Sequence, residues 1–157
     1  STSRRQRQMC IRDRNIYKVP NDLRAVCDVI HQNQENDFPR VVFDGSLNSI
    51  VRQYDAGIAT VISRNASIYR SGSTVAGNYD ENSSFYKRQK ALLDVIDYHI
   101  YEDKEGFQAA LKKSKTDFVV TQIGLVDHDF LTECGCELIA QTESCYIYRF
   151  DYSNPRK

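Results

Sequence analysis

Long apolar runs are missing from this sequence of 157 residues. No stretch approaches the roughly 18 consecutive apolar residues of a membrane-spanning helix, and no signal-peptide pattern stands at its start. A charge excess is missing as well. Lys+Arg and Asp+Glu number 21 each, which argues against a nucleic-acid binder that relies on a strong basic field, and no nucleic-acid partner is expected. There is no GxGxxG, no phosphate-loop lysine and no internal repeat, and no Ser or Cys elbow motif lies near His31, His99 or His128. What is present, 41% hydrophobic residues in a chain of this length, suffices for one domain with a real core.

Methionine occurs once, as Met9, inside the segment 1–14, STSRRQRQMCIRDR. That segment also holds five of the 21 basic residues, and the composition changes abruptly after it. Residues Arg4 to Asp13 resemble, codon for codon, a translation of the transposase adapter used in short-read sequencing libraries, and Arg14 fits the split codon that follows. Residues 1–14 are therefore expected to be non-native, and such scars are removed before fold reasoning. Residues 15–157 then carry a net negative charge and no methionine. They are expected to form a single α/β domain, the C-terminal fragment of a longer protein recovered from a metagenome.

Along that domain, Pro20 to Gln32 reads as an amphipathic helix, with Leu23, Val26, Cys27 and Ile30 on one face. Arg40 to Asp44 reads as a buried strand bounded by Pro39 and Gly45. Ser46 is a candidate cap for a helix bearing Leu47, Ile50, Val51 and Tyr54, which Gly57 ends. Ile58 to Ile62 is a second strand candidate. Ser63 to Ser84 is polar, rich in Ser, Asn and Gly, and long for a connection. Phe85 to Tyr98 and Glu105 to Lys113 read as helices, with a short strand expected at His99 to Tyr101 between them. Asp117 to Thr121 is a strand and Asp127 to Cys134 a short helix, with Gly135 suited to a left-handed residue past its end. The tail forms a β-hairpin around Thr142-Glu143-Ser144, placing Leu138 and Ala140 against Tyr146, Tyr148 and Phe150. The fold class is α/β, a small and mostly parallel sheet flanked by helices and closed by this antiparallel hairpin.

Three groups carry candidate chemistry. The first is the strand-to-helix turn Asp44, Gly45, Ser46 and Asn48, where free N–H groups suit an anion, although with a single glycine and no phosphate-loop lysine the turn is better explained by Gly45 permitting the bend and Ser46 capping the helix. The second is Arg52 and Asp55 with Arg64 and Asn65. Arginine forks suit phosphate or carboxylate, while Arg52 and Asp55, three apart on a helix, also suit a surface pair. The third is DHDFLTECGC, whose Asp127, His128, Asp129, Glu133, Cys134 and Cys136 invite a metal. The spacing lacks the two separated ligand pairs of a zinc site, and helix capping explains the acids, so neither a metal nor another cofactor is expected. Cys27, Cys134, Cys136 and Cys145 read mostly as small buried hydrophobes, with a Cys136–Cys145 disulfide across the hairpin left open. Asn65 and Asn82 begin glycosylation sequons, a pattern that arises easily in Ser/Asn-rich sequence.

The segments NIYKVPNDLRAVCDVI, FPRVVFDGSLNSIVRQYDAGI, TDFVVTQ and LTECGCELIAQTESCYIYRFD together resemble the hydrophilic C-terminal tails of large multi-pass membrane proteins of Firmicutes. These belong to the wider group of GT-C-type glycosyltransferases and related cell-envelope polysaccharide proteins. The resemblance covers nearly all of Asn15 to Asp151, and VRQYD is its least generic motif. It implies that a last membrane helix leads into Tyr17-Lys18-Val19-Pro20 and then into a domain on the extracytoplasmic face of the cell membrane. The implied partners are the membrane-embedded part of the same chain and a lipid-linked or glycan substrate. In that group the catalytic carboxylate lies in earlier loops, so no catalytic residue carries over and the domain is expected to be accessory. The alternatives are a soluble α/β domain or enzyme that binds a nucleotide or phosphate ligand at Asp44 to Asn65, and a protein-interaction module using the 63–84 loop.

Overall fold

The computed structural model describes residues 22–63 and 82–151. Their elements run α1 (Leu23–Asn33), β1 (Arg40–Phe43), α2 (Gly45–Tyr54), β2 (Ala59–Thr60), α3 (Ser84–Ile96), α4 (Lys104–Lys113), β3 (Phe118–Gln122), α5 (His128–Glu133), β4 (Cys136–Gln141) and β5 (Cys145–Phe150). The strands form one five-stranded sheet in the order β2-β1-β3-β5-β4. β1 pairs in parallel with both β2 and β3, and β5 pairs antiparallel with both β3 and β4. The fold is thus the α/β arrangement expected, with the hairpin as its antiparallel part.

Strand alternation divides the core in two. Val42 and Val119 point to the face covered by α3, α4 and α5, where they meet Leu92, Leu93, Phe107 and Leu131. Val41, Phe43, Phe118 and Val120 point to the face covered by α1 and α2. The periodic stripes account for the helices: Leu23, Val26, Cys27 and Ile30 of α1, and Phe107, Ala110 and Leu111 of α4, are all buried. Leu23, Val26, Ile30, Phe107 and Leu111 each contribute about 1.5–3 kcal/mol on full burial. Among the described residues no helix is long and apolar enough to cross a membrane.

Four expectations are corrected. The cap of α2 is Asp44, because the helix starts at Gly45 directly after the strand and the Asp44 carboxylate accepts from the Leu47 amide. β2 is only two residues long, since the carbonyl of Ile62 accepts side-chain bonds from Asn48 and Arg52. There is no strand at His99 to Tyr101. The chain wraps back on the end of α3 there, with the Ile100 amide on the Asp94 carbonyl and His99 at φ 56°. In the hairpin, a bulge between Leu138 and Ala140 shifts the register by one residue, so Ala140 pairs with Ile147 and packs on the α1/α2 face. Tyr146, Tyr148 and Phe150 belong to the opposite core, and Leu138 is exposed. Gly135 does take the left-handed conformation, at φ 93°.

Candidate functional site

In open α/β sheets ligands gather beyond the carboxyl ends of strands, where successive connections leave on opposite faces. Here that point lies between β1 and β3. The chain leaving β1 enters α2 on one face of the sheet, and the chain leaving β3 enters α5 on the other. The predicted turn therefore sits where the topology favours a site.

The turn is closed by side chains of the protein itself. Asp44 is buried, its Oδ1 accepting from Leu47 N at 3.1 Å and from Gln122 Nε2, at the end of β3, at 3.3 Å. The Gly45 amide, the first free donor of α2, is taken at 2.9 Å by Oδ1 of Asp97, from the residue after α3. Burial raises the Asp97 pKa; the Gly45 bond opposes that shift and the nearby Asp44 charge adds to it. Nothing in the sequence marks Asp97, because its partner is 52 positions away and it reads locally as an ordinary helix end.

Below the turn, the α2 side chains hold the chain leaving β2. Asn48 Nδ2 donates to the Ile62 carbonyl at 3.0 Å. Arg52 donates from Nε to Thr60 Oγ1 at 2.7 Å and from its second nitrogen to the same Ile62 carbonyl. Buried Gln89 of α3 completes the clamp, donating to the Val61 carbonyl at 3.1 Å and accepting from the Ser63 amide at 2.8 Å. The fork of Arg52 is thus engaged with β2, and the expected pairing with Asp55 is replaced by other partners. Asp55 Oδ2 faces His31 Nε2 at 2.7 Å, and its Oδ1 accepts from the Gly57 amide at 2.9 Å. Gln34 Oε1 lies 2.7 Å from the other ring nitrogen of His31. The bond to Asp55, then that to Gln34, raises the His31 pKa. Of the predicted site, the structure brings Asp44, Gly45, Asn48 and Arg52 to one turn and places Asp55 at the far end of α2. Arg64 and Asn65 lie outside the described residues, as do segment 1–14 and residues 64–81 of the long loop.

The DHDFLTECGC segment is occupied by local structure. Asp127 caps α5 through the amides of Asp129 and Phe130, at 3.0 and 3.4 Å. His128 Nδ1 meets the Tyr148 hydroxyl at 2.8 Å, and Glu133 pairs with Lys104. Among the described residues no group of three His, Cys, Asp or Glu side chains is arranged to hold a metal ion. Cys27, Cys134, Cys136 and Cys145 are free thiols, all buried. The disulfide left open from the sequence is excluded because Cys136 begins β4 opposite Phe150, whereas Cys145 begins β5 opposite Gln122, at the other end of the hairpin and on the other face. Burial pushes the Cys27 thiol up to about 12 and the Cys134 thiol up to about 11.

No family model, no curated protein and no solved structure matches this chain.

Proposed function

We propose that the chain is an accessory extracytoplasmic domain of a multi-pass membrane protein that works in cell-envelope glycan assembly, and that it does not perform glycosyl transfer by itself. The likeness of its four segments to the tails of such proteins supports the location. One observation supports the accessory role: the Gly45 amide, where a phosphate would bind at the start of α2, already holds the carboxylate of Asp97. A second carboxylate, Asp44, lies beside it, and Arg52 faces β2. Two acids at the mouth repel an anion and weaken the case for a self-contained nucleotide or phosphate site.

The test is topological. With alkaline phosphatase fused after Lys157 of the full-length gene product in its own host, an active, externally placed reporter is expected. Activity of a cytoplasmic reporter at that position, with none from the phosphatase, would contradict it.

A further inference from the structure

A groove of about 580 Å³ lies between α3 and α4, away from the β1–α2 turn. Its volume falls within the range of about 300–1,000 Å³ that holds small ligands. The Ile100 amide is bonded to the Asp94 carbonyl, so only three residues separate the end of the wrapped segment from Lys104 and α4 starts beside the last turn of α3; residues along the length of both helices line the groove, so α4 runs back along α3. The start of α3 and the end of α4 therefore share one end of the groove. Small or aliphatic residues, Ala91, Val95, Ala109 and Ala110, supply its floor.

The two ends differ in charge. At the shared start of α3 and end of α4 stand Lys87, Arg88 and Lys113. Among the described residues none of these three makes an ion pair. The positive end of the α3 dipole is offset there by the negative end of α4, so the three side chains themselves supply the charge. At the other end, Asp94 is held by Lys90 at 2.8 Å, and Asp103 is bound to the Gly106 amide at 2.8 Å, which leaves Glu102. An apolar floor with cations gathered at one end matches a molecule with an apolar chain and an anionic head.

We propose that the α3–α4 groove binds a phosphorylated single-chain lipid, its chain along Ala91, Val95 and Ala109 and its phosphate against Lys87, Arg88 and Lys113. The proposal rests on the membrane-tail reading only for where such a lipid is met. Decyl phosphate, below its micelle concentration, is titrated into the 157-residue chain and followed by the amide resonances of Ala91 and Ala109. Saturable shifts at both are expected. The triple variant Lys87→Ala, Arg88→Ala, Lys113→Ala should bind at least about tenfold more weakly. So should Ala109→Leu, which fills the groove from an exposed helix position, and both variants should keep the parent circular dichroism. Decanol and inorganic phosphate should each bind far more weakly than the combined molecule. Absence of saturable shifts, equal binding by both variants, or equal binding of decanol or phosphate alone would overturn the proposal, as would capture of an acidic amphipathic peptide in place of the lipid. Any of these leaves the membrane-tail reading standing, because the DNA upstream of the domain decides that one.

Discussion

The amide of Gly45 and the carboxylate of Asp97 form a closed pair at the carboxyl end of β1, with 2.9 Å between nitrogen and oxygen. A Cβ added at Gly45 would lie 2.9 Å from the other oxygen of Asp97. Gly45→Ala is therefore expected to push the carboxylate away and lose its bond, lowering stability by about 1 kcal/mol. In an Asp97→Ala background the same change should be neutral or stabilising, because alanine is the better helix former by up to about 1 kcal/mol. A double-mutant cycle by chemical denaturation measures the coupling, and simple additivity would show that the pair does not exist.

Arg52 separates a structural from a ligand-binding turn. Its bonds to Thr60 Oγ1 and the Ile62 carbonyl anchor the edge strand. Arg52→Ala should cost about 1.5–3 kcal/mol, the range for hydrogen bonds to a charged group. Titration with pyrophosphate should give no saturable binding at this turn in the parent or in the variant. Affinity in the parent that disappears with Arg52 would favour the anion-site reading.

His31 ties the end of α1 to the end of α2 with acceptors at both ring nitrogens, so only the imidazolium donates to Gln34 and Asp55 together. Its folded pKa is raised, so the stabilisation is fully present below the unfolded value of about 6.5 and is lost as pH rises through the folded value. The side chain is 38% exposed, so solvent screening limits the effect. His31→Ala should lose about 0.5 kcal/mol at pH 5.5 and match the parent by pH 9. A difference that grows with pH would contradict the arrangement.

Four buried thiols with no disulfide make the fold indifferent to reductant. Dithiothreitol should leave the melting temperature unchanged, whereas loss of a structural disulfide would cost about 2–5 kcal/mol. Cys27, Cys134, Cys136 and Cys145 should react with a thiol reagent only as fast as the domain opens. Rapid labelling of any of them in the native state would place that side chain at the surface.

The helices and the sheet were legible because their signals are local. Stripes such as Leu23, Val26, Cys27 and Ile30 repeat within one helix, and the run around Val41 to Phe43 is compact. The hairpin was legible in outline, but strict alternation put Ala140 on the wrong face, since a one-residue bulge leaves no mark on the residue pattern. Asp44 and Ser46 are both good capping residues, and the choice between them depended on where the strand released the chain. The turn stood out from the sequence for its Asp-Gly-Ser, while Asp97, Gln122 and Gln89, which close and clamp it, reach it only through tertiary packing.

Whether this domain belongs to a membrane-embedded protein, as we propose, is decided by the genomic DNA immediately upstream of the codon for Asn15. That DNA is expected to carry a reading frame with several apolar segments of about 20 residues, the last leading into Tyr17 to Pro20. A frame that begins just upstream, or one that encodes a water-soluble domain in place of those segments, would contradict the proposal.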